Sequence, residues 1–547
     1  MKIKDRLFLP IFNFIGWRAK IFGDMEEAYL KAFLATIARS QAPKETKENE
    51  TISVSETVSA AASVYENVRN ALEYDEEHLL RRNAIRRILK RRFGEEDVIS
   101  LSSDLLHELI WARYLPNNAV PTKTLDEVAA ILRKFQPLFV QAEEAGKNTH
   151  HFNLWLLDVL STEIEYKLSP PLVEEGLVGL VYQNIKSRLE WATSQIKPED
   201  RELQLYVAVH RAVLKSNRAT LRYRVFVLYF PDWSKAPTSE LVEHVAGRLP
   251  QIIETVENQL NHSSGERLFR FVRQRSVAFT ILRDVCEKHS GDIEDILSDE
   301  KRFRQAVAEA AAIRYDKFRV RVHRSIIRAI VFILFTKSIL ALLVELPFDR
   351  LVAKDSSWTP LLTNILFHPL VLAVIGLTVH IPEKKNTELL FAELQSVLGL
   401  DKVKILRFSQ RRPWAKGGMG ILFATLYSLA LLLFVGIVSY ILHSFDFSIV
   451  SIFFFLFFLS LVTFFGFKIR GSRRELVMTE GTGGWGSALF DIFFLPVVRT
   501  GRWISIRAPR VNILLFFLDF IIEAPFKAAI KLIEGWLAFL REKKEEI

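Results

Sequence analysis

Apolar and polar positions follow two different rules along this chain, and the change falls near residue 325. Before it, apolar residues recur at three- and four-residue spacing among mixed charges, the period of helices that bury one face. After it come long apolar runs at 326–346, 361–381, 421–442 and 447–467. Each is close to the roughly 20 residues that carry a helix across a bilayer. The pattern predicts an all-α chain, with a helical cytoplasmic half followed by a polytopic α-helical membrane half of four spans plus interfacial or re-entrant helices. Strand-like alternation is confined to 223–230, and no internal repeat emerges.

Breakers and composition shifts divide the chain further. The expected units are an amphipathic N-terminal segment (1–40), a polar linker (41–55), a helical cytoplasmic domain (56–298) and a stalk running into the first span (299–346). Spans two to four occupy 347–470 around a basic loop at 382–420, and 471–547 holds a Gly-rich turn and further amphipathic segments. Thr124-Leu-Asp-Glu127 has the form of a capping box opening a helix. No Gly or Pro occurs between Asp292 and Leu346. A helix from Glu300 to Leu346 would be roughly 70 Å long at 1.5 Å per residue and would transmit tilt or rotation. A break near Arg314–Asp316 would leave only a tether. At the N-terminus, Pro10 interrupts a short apolar stretch and Arg18 and Lys20 follow it. This reads as an uncleaved segment that lies on the membrane surface or packs on the helical half.

Charge fixes an expected orientation. The formal net charge is +10, of which residues 326–547 supply +8, from 25 Lys+Arg and 17 Asp+Glu. Lys317, Arg319, Arg321 and Arg324 precede the first run, and the 382–420 loop carries eight Lys and Arg, Arg411 and Arg412 among them. Lys468, Arg470, Arg473 and Arg474 follow the fourth run, whereas the turn at 443–446 has no Lys or Arg. Four spans with both termini cytoplasmic satisfy the positive-inside rule in every loop. The apolar segments 485–498 and 511–522 are short, and Arg499, Arg502, Arg507 and Arg510 separate them. They read as re-entrant or interface-lying rather than as two further spans. The single cysteine, Cys286, excludes an internal disulfide and fits a reducing compartment.

Little in the sequence carries catalytic chemistry. Gly481-x-Gly483-x-x-Gly486 matches a dinucleotide fingerprint in letters alone, because no strand precedes it and no βαβ unit surrounds it. The basic run Arg81, Arg82, Arg86, Arg87, Lys90, Arg91, Arg92 follows Asp75, Glu76 and Glu77, so it complements a helix dipole better than it makes a nucleic-acid surface. His150, His151, Asp158 and Glu163 lack a metal-ligand spacing, as does His107-Glu108. Neither a cofactor nor a metal is expected. Within the apolar runs, Lys337 at the middle of the first is costly enough to demand a partner or a water-filled cavity. Glu345, His368, Asp519 and Glu523 are the candidates for an intramembrane polar site. Arg319, Arg321, Arg324, Arg411, Arg412, Arg473 and Arg474 form an expected lipid-facing basic cluster.

The run Asp519-Phe-Ile-Ile-Glu-Ala-Pro-Phe-Lys527, the end Phe539-Leu-Arg-Glu-Lys-Lys-Glu-Glu-Ile547 and the stretch 336–349 resemble multi-pass membrane proteins of small-genome bacteria. The resemblance implies a bacterial inner membrane and no particular activity. The expected function is a non-enzymatic membrane-anchored scaffold or adaptor that binds a cytoplasmic protein, a second copy of itself or anionic lipid headgroups of the bilayer. The alternative is an oligomeric ion or small-solute transporter or channel that uses Lys337.

Overall fold

A computed structural model describes residues 22–41, 50–56, 59, 66, 77–94, 97–144, 146–193, 196–235, 237–353, 358–377, 379, 383–400, 404–409, 418–478, 495 and 497–504. The first helices are α1 (Phe22–Gln41), α2 (Glu77–Arg92), α3 (Val98–Trp111), α4 (Lys123–Glu143), α5 (Thr149–Leu168) and α6 (Leu172–Arg188). The series continues with α7 (Arg201–Val213), α8 (Arg218–Tyr229), α9 (Ser239–Gly247), α10 (Leu249–Leu260), α11 (Gly265–Lys288) and α12 (Ile293–Ser298). Then come α13 (Glu300–Leu340), α14 (Thr359–Leu377), α15 (Glu383–Val397), α16 (Gly418–His443) and α17 (Ile449–Ser472). The chain is all-α with a polytopic helical part. Two short strands, β1 (Leu189–Thr193) and β2 (Leu406–Ser409), pair in parallel.

The N-terminal region has two apolar cores. In the first, α3, α4, α5, α8 and α10 close on Phe135, Trp155, Phe226 and Trp233. Rings of Phe135 and Phe226 meet Trp233 at 5.4 and 5.1 Å. Each buried indole N–H has an acceptor, Glu163 for Trp233 at 3.0 Å and Glu257 for Trp155 at 3.1 Å. This is the condition for burying tryptophan without loss. The basic helix α2 packs inward. Arg81 pairs with Glu165, Arg86 with Asp158, Arg87 with Glu66 and Arg91 with Glu108, at 2.6 to 3.0 Å. These four charges are therefore matched by carboxylates of the same body, and Lys90, Arg91 and Arg92 stand in the last turn of the helix, where base complements the dipole.

The second core joins α1, α6, α7, α11 and the first half of α13, with Phe33, Val209, Phe279, Phe303 and Val307 at its centre. It also takes in residues from beyond the second apolar run. Leu390, Phe391 and Leu394 of α15, Leu406 and Phe408 of β2, and Leu476 are all buried there. Arg188 and Glu393, both buried, form an ion pair at 3.0 Å. Asn386 donates to the Leu476 carbonyl at 2.7 Å and accepts from the Met478 amide at 2.9 Å. The loop between the second and third apolar helices and the exit of the fourth thus lie on the same body as the N-terminal helices.

Among the described residues, four helices are long and apolar enough to cross a membrane: Glu300–Leu351, Thr359–Leu377, Ala424–His443 and Ile449–Ser472. Phe332, Phe335, Leu343, Leu370 and Leu432 stand more than half exposed on them, an outward face suited to lipid. The stalk has no break at Arg314–Asp316. α13 runs for 41 residues, about 60 Å, with Asp299 capping the Lys301 and Arg302 amides at its start. The helical path continues through a π-turn at Ala341–Glu345, an α-turn at Leu346–Phe348 and a second π-turn at Asp349–Ala353.

Several local expectations change. Residues 223–229 are helical and Phe230 is the C-cap, because Asn217 caps the Thr220 amide at 3.1 Å and starts α8 upstream of the alternation. The capping box does not form. α4 begins at Lys123, and Thr122 at its N-cap instead donates its hydroxyl to the Glu50 carbonyl at 2.8 Å. That contact shows why 50–54 is not free linker: Ile52 and Val54 are buried and Asn117 holds the Val54 amide at 2.9 Å. α1 is packed on α6, where Thr36 crowds Gly176, while residues 1–21 lie outside the described residues. The Gly-rich turn 481–486 lies outside them as well.

Residues 497–504 are helical and pack on the middle of α17 rather than at its end, with Val497 buried beside Phe455 and Leu459. Gly501 makes this approach possible. A Cβ there would lie 2.0 Å from the Ser460 carbonyl oxygen, whereas one on Gly466 would meet only the side chain of Ile375, at 2.7 Å. Side chains can rotate and a helix backbone cannot, so Gly501→Ala is expected to cost the upper part of about 1–3 kcal/mol and Gly466→Ala the lower part. Thermal inactivation in detergent measures both, and an unaltered Gly501→Ala protein would disprove the close crossing.

Candidate functional site

A lysine in an apolar helix needs acceptors for three N–H groups, and one facing helix, α14, supplies them. Lys337 lies near the end of α13 and is 1% exposed. Its Nζ donates to both the backbone carbonyl and the side-chain Oδ1 of Asn364, and lies 3.0 Å from Nδ1 of His368. Asn364 and His368 are four residues apart on α14 and therefore share a face. The Nε2 of His368 is 2.9 Å from the Phe455 carbonyl on α17. An ammonium only donates, so Nδ1 offers its lone pair to Lys337 and Nε2 carries the proton toward the Phe455 carbonyl. Phe458 and Phe455 cover the ammonium with ring centroids at 5.1 and 5.8 Å, adding cation–π attraction.

The countercharge arrives through a change of helix type. Eight residues along a regular α-helix would leave Lys337 and Glu345 about 80° apart. The i→i+5 turn at Ala341–Glu345 turns the chain through fewer degrees per residue and brings Glu345 toward the lysine face. Glu345 is 1% exposed and accepts from the Asn364 amide at 2.6 Å, so the amide bridges cation and anion. Ser451 of α17, fully buried, places its hydroxyl 3.4 Å from Glu345 and 3.4 Å from Asp349. A hydroxyl has one proton and serves one of these carboxylates at a time. The second oxygen of Asp349 is buried and has no hydrogen-bond partner among the described residues.

Three of the five residues expected to form an intramembrane polar site are thus brought together: Lys337, His368 and Glu345. Asp519 and Glu523 lie outside the described residues. Asn364, Ser451 and Asp349 complete the cluster and were not among the expected residues. Asn364 had a readable signal, since it stands one turn from His368 in an otherwise apolar run. Of the basic cluster, Arg319, Arg321 and Arg324 are exposed on α13 just before the apolar stretch, and Arg473 follows α17. Arg411, Arg412 and the Arg474 side chain lie outside the described residues.

The remaining chemical candidates are occupied elsewhere. Asp158 serves Arg86 and Arg222, and Glu163 pairs with Lys134. Burial raises the Glu163 carboxyl even so, with Lys134 and Trp233 opposing. His150 and His151 are exposed, and His107 Nδ1 lies 2.8 Å from the Ser103 carbonyl of its own helix. Cys286 is fully buried, and burial pushes its thiol up to about 12, far from a reactive thiolate. Among the described residues no group of three or more His, Cys, Asp or Glu side chains could hold a metal ion. Comparisons with protein-family models, curated proteins and solved structures return no match.

The arrangement ties α13, α14 and α17 together through neutralised and hydrogen-bonded polar groups. Lys337→Met strands Glu345 in an apolar interior and is expected to cost about 3–5 kcal/mol, whereas Lys337→Met with Glu345→Gln recovers part of that loss. Unfolding of the purified protein in detergent distinguishes them. If the single and double variants are equally destabilised, the charge pairing through Asn364 is not what holds these helices.

Proposed function

We propose that this chain is a multi-pass protein of a bacterial inner membrane, with both termini cytoplasmic, and that it is a non-enzymatic scaffold. In this reading it holds a helical, protein-binding platform at a set attitude above the bilayer. The observation that carries the reading is the double grip on one helix. Phe303, Ala306, Val307, Ala311 and Phe318 of α13 belong to the second core, and the same helix bears Lys337 in the buried polar cluster. A rigid element held at both ends transmits orientation, whereas a flexible linker would lose it. The shared body formed by the N-terminal helices, α15, β2 and Leu476 supports one face for all of them, and the Lys and Arg residues that flank the apolar runs on that side support the cytoplasmic face.

The rigid coupling has a direct measurement. Spin labels at Glu254 on α10 and Ser444 just after α16, both exposed, report the distance between the N-terminal body and the turn joining the third and fourth apolar helices. Buried Cys286 stays unlabelled. In vesicles a single narrow distance distribution is expected, and a broad one would sink the scaffold reading.

One feature supports the alternative of ion or small-solute transport. The polar groups form a line from Lys337 through Asn364, Glu345 and Ser451 to Asp349, beside two π-turns of the kind often kept at functional sites. In liposomes the scaffold reading expects no cation or proton flux. A flux abolished in the double variant Lys337→Met with Glu345→Gln, with insertion intact, would favour transport instead.

A further inference from the structure

Where α13 leaves the second core and enters its apolar stretch, it parts from α14 and α15 and leaves a cavity of about 1040 Å³. This is at the upper end of the roughly 300–1,000 Å³ typical of small-ligand pockets. Two chemistries line it. The floor is apolar, made by Ile326 of α13 with Gly376 and Leu377 at the end of α14. Gly376 lets the helices close here, since a Cβ would stand 2.6 Å from Ile326. Leu377 is 87% exposed, so the floor opens sideways toward the lipid-facing surface rather than into the protein. The rim is cationic, made by His323 and Arg324 of α13 with Lys384 and Lys385 in the first turn of α15.

The rim cations are of two kinds. Arg319 is already neutralised, by Asp316 at 2.8 Å and by Glu383 across the mouth. That second pair ties α13 to α15 and holds the opening. Arg324, Lys384 and Lys385 are exposed and form no ion pair among the described residues. Three unneutralised positive side chains therefore stand around an apolar trough that is open toward lipid, at the level where the apolar surface begins.

We propose that this cavity is a binding site for an anionic phospholipid, with the headgroup phosphate held by Arg324, Lys384 and Lys385 and the first part of an acyl chain laid along Ile326 and Leu377. The proposal rests on the membrane placement given above and deepens it by naming a lipid class and a site. Charge selects an anionic headgroup over a zwitterionic one, and the trough selects a lipid over a free anion. A bound lipid would also fill the gap between α13 and the adjoining ends of α14 and α15, bracing the stalk where its apolar stretch begins.

The test uses the full chain in detergent with fluorescent phosphatidylglycerol, phosphatidylcholine and inorganic phosphate as probes. Membrane extraction is scored first: a chain released by alkaline carbonate refutes the membrane placement itself, and this proposal with it. For the integral protein, phosphatidylglycerol is expected to bind at least about tenfold more tightly than phosphatidylcholine. The triple variant Arg324→Gln, Lys384→Gln, Lys385→Gln is expected to lose about tenfold, and Leu377→Lys, which charges the trough while keeping the rim, to weaken binding as well. All four positions are exposed, so unchanged unfolding midpoints accompany these losses. Equal retention of both lipids, or binding unmoved by the rim variant, overturns the proposal. Displacement of phosphatidylglycerol by millimolar phosphate, with Leu377→Lys silent, overturns it in favour of a simple phosphate site.

Discussion

An ammonium group cannot remain unpaired in an apolar interior, and the mutual arrangement of α13, α14 and α17 follows from that. Lys337 has three N–H groups and finds three acceptors, all on α14. Those acceptors are set in turn: His368 by the Phe455 carbonyl of α17, Asn364 by the carboxylate of Glu345. Removing any one helix would leave a charge or a donor without its partner. The interaction therefore specifies which helices are neighbours and in which rotation, which lipid-facing apolar contacts leave loose.

The same helix couples this arrangement to the N-terminal body. Phe303 and Val307 of α13 are as buried as any residue of the second core, although Lys337 belongs to another environment some 50 Å along the helix. Segments returning from the apolar half reinforce the join. α15 fills the second core with Leu390 and Leu394, β2 pairs with β1, and Asn386 ties Leu476 and Met478 to the same place. The N-terminal region is completed by residues from the C-terminal half, so the two halves form one interleaved body and not two independent units.

Which parts of this could be read in advance depends on how far each signal reaches. Runs of apolar residues at 361–381 and 447–467 announce themselves because crossing hydrocarbon is a demand on every residue of a helix. Lys337 stands out for the same reason, and His368 and Glu345 follow as nearby polar groups in apolar surroundings. Asn364 and Ser451 are small and common, and only their register on α14 and α17 gives them importance. The arginines of α2 look like a surface cluster until Glu165, Asp158 and Glu108 appear opposite them, and those carboxylates lie on α5 and α3. The strand pair is a harder case, since β1 and β2 are distant in the chain and each is too short to declare itself.

By itself, then, the sequence determined the class of the fold, the four apolar helices and the need for a partner at Lys337. These are consequences of local composition and of the cost of exposing or burying each residue type, which act along the chain. Tertiary structure alone decided that the partner is Asn364 with His368, that Glu345 reaches the same face through a π-turn, and that α15 completes the N-terminal core. It also set residues 497–504 against the middle of α17. Those outcomes depend on helix rotation, crossing and close approach at glycines, which arise only when distant segments pack and which no spacing along one segment encodes.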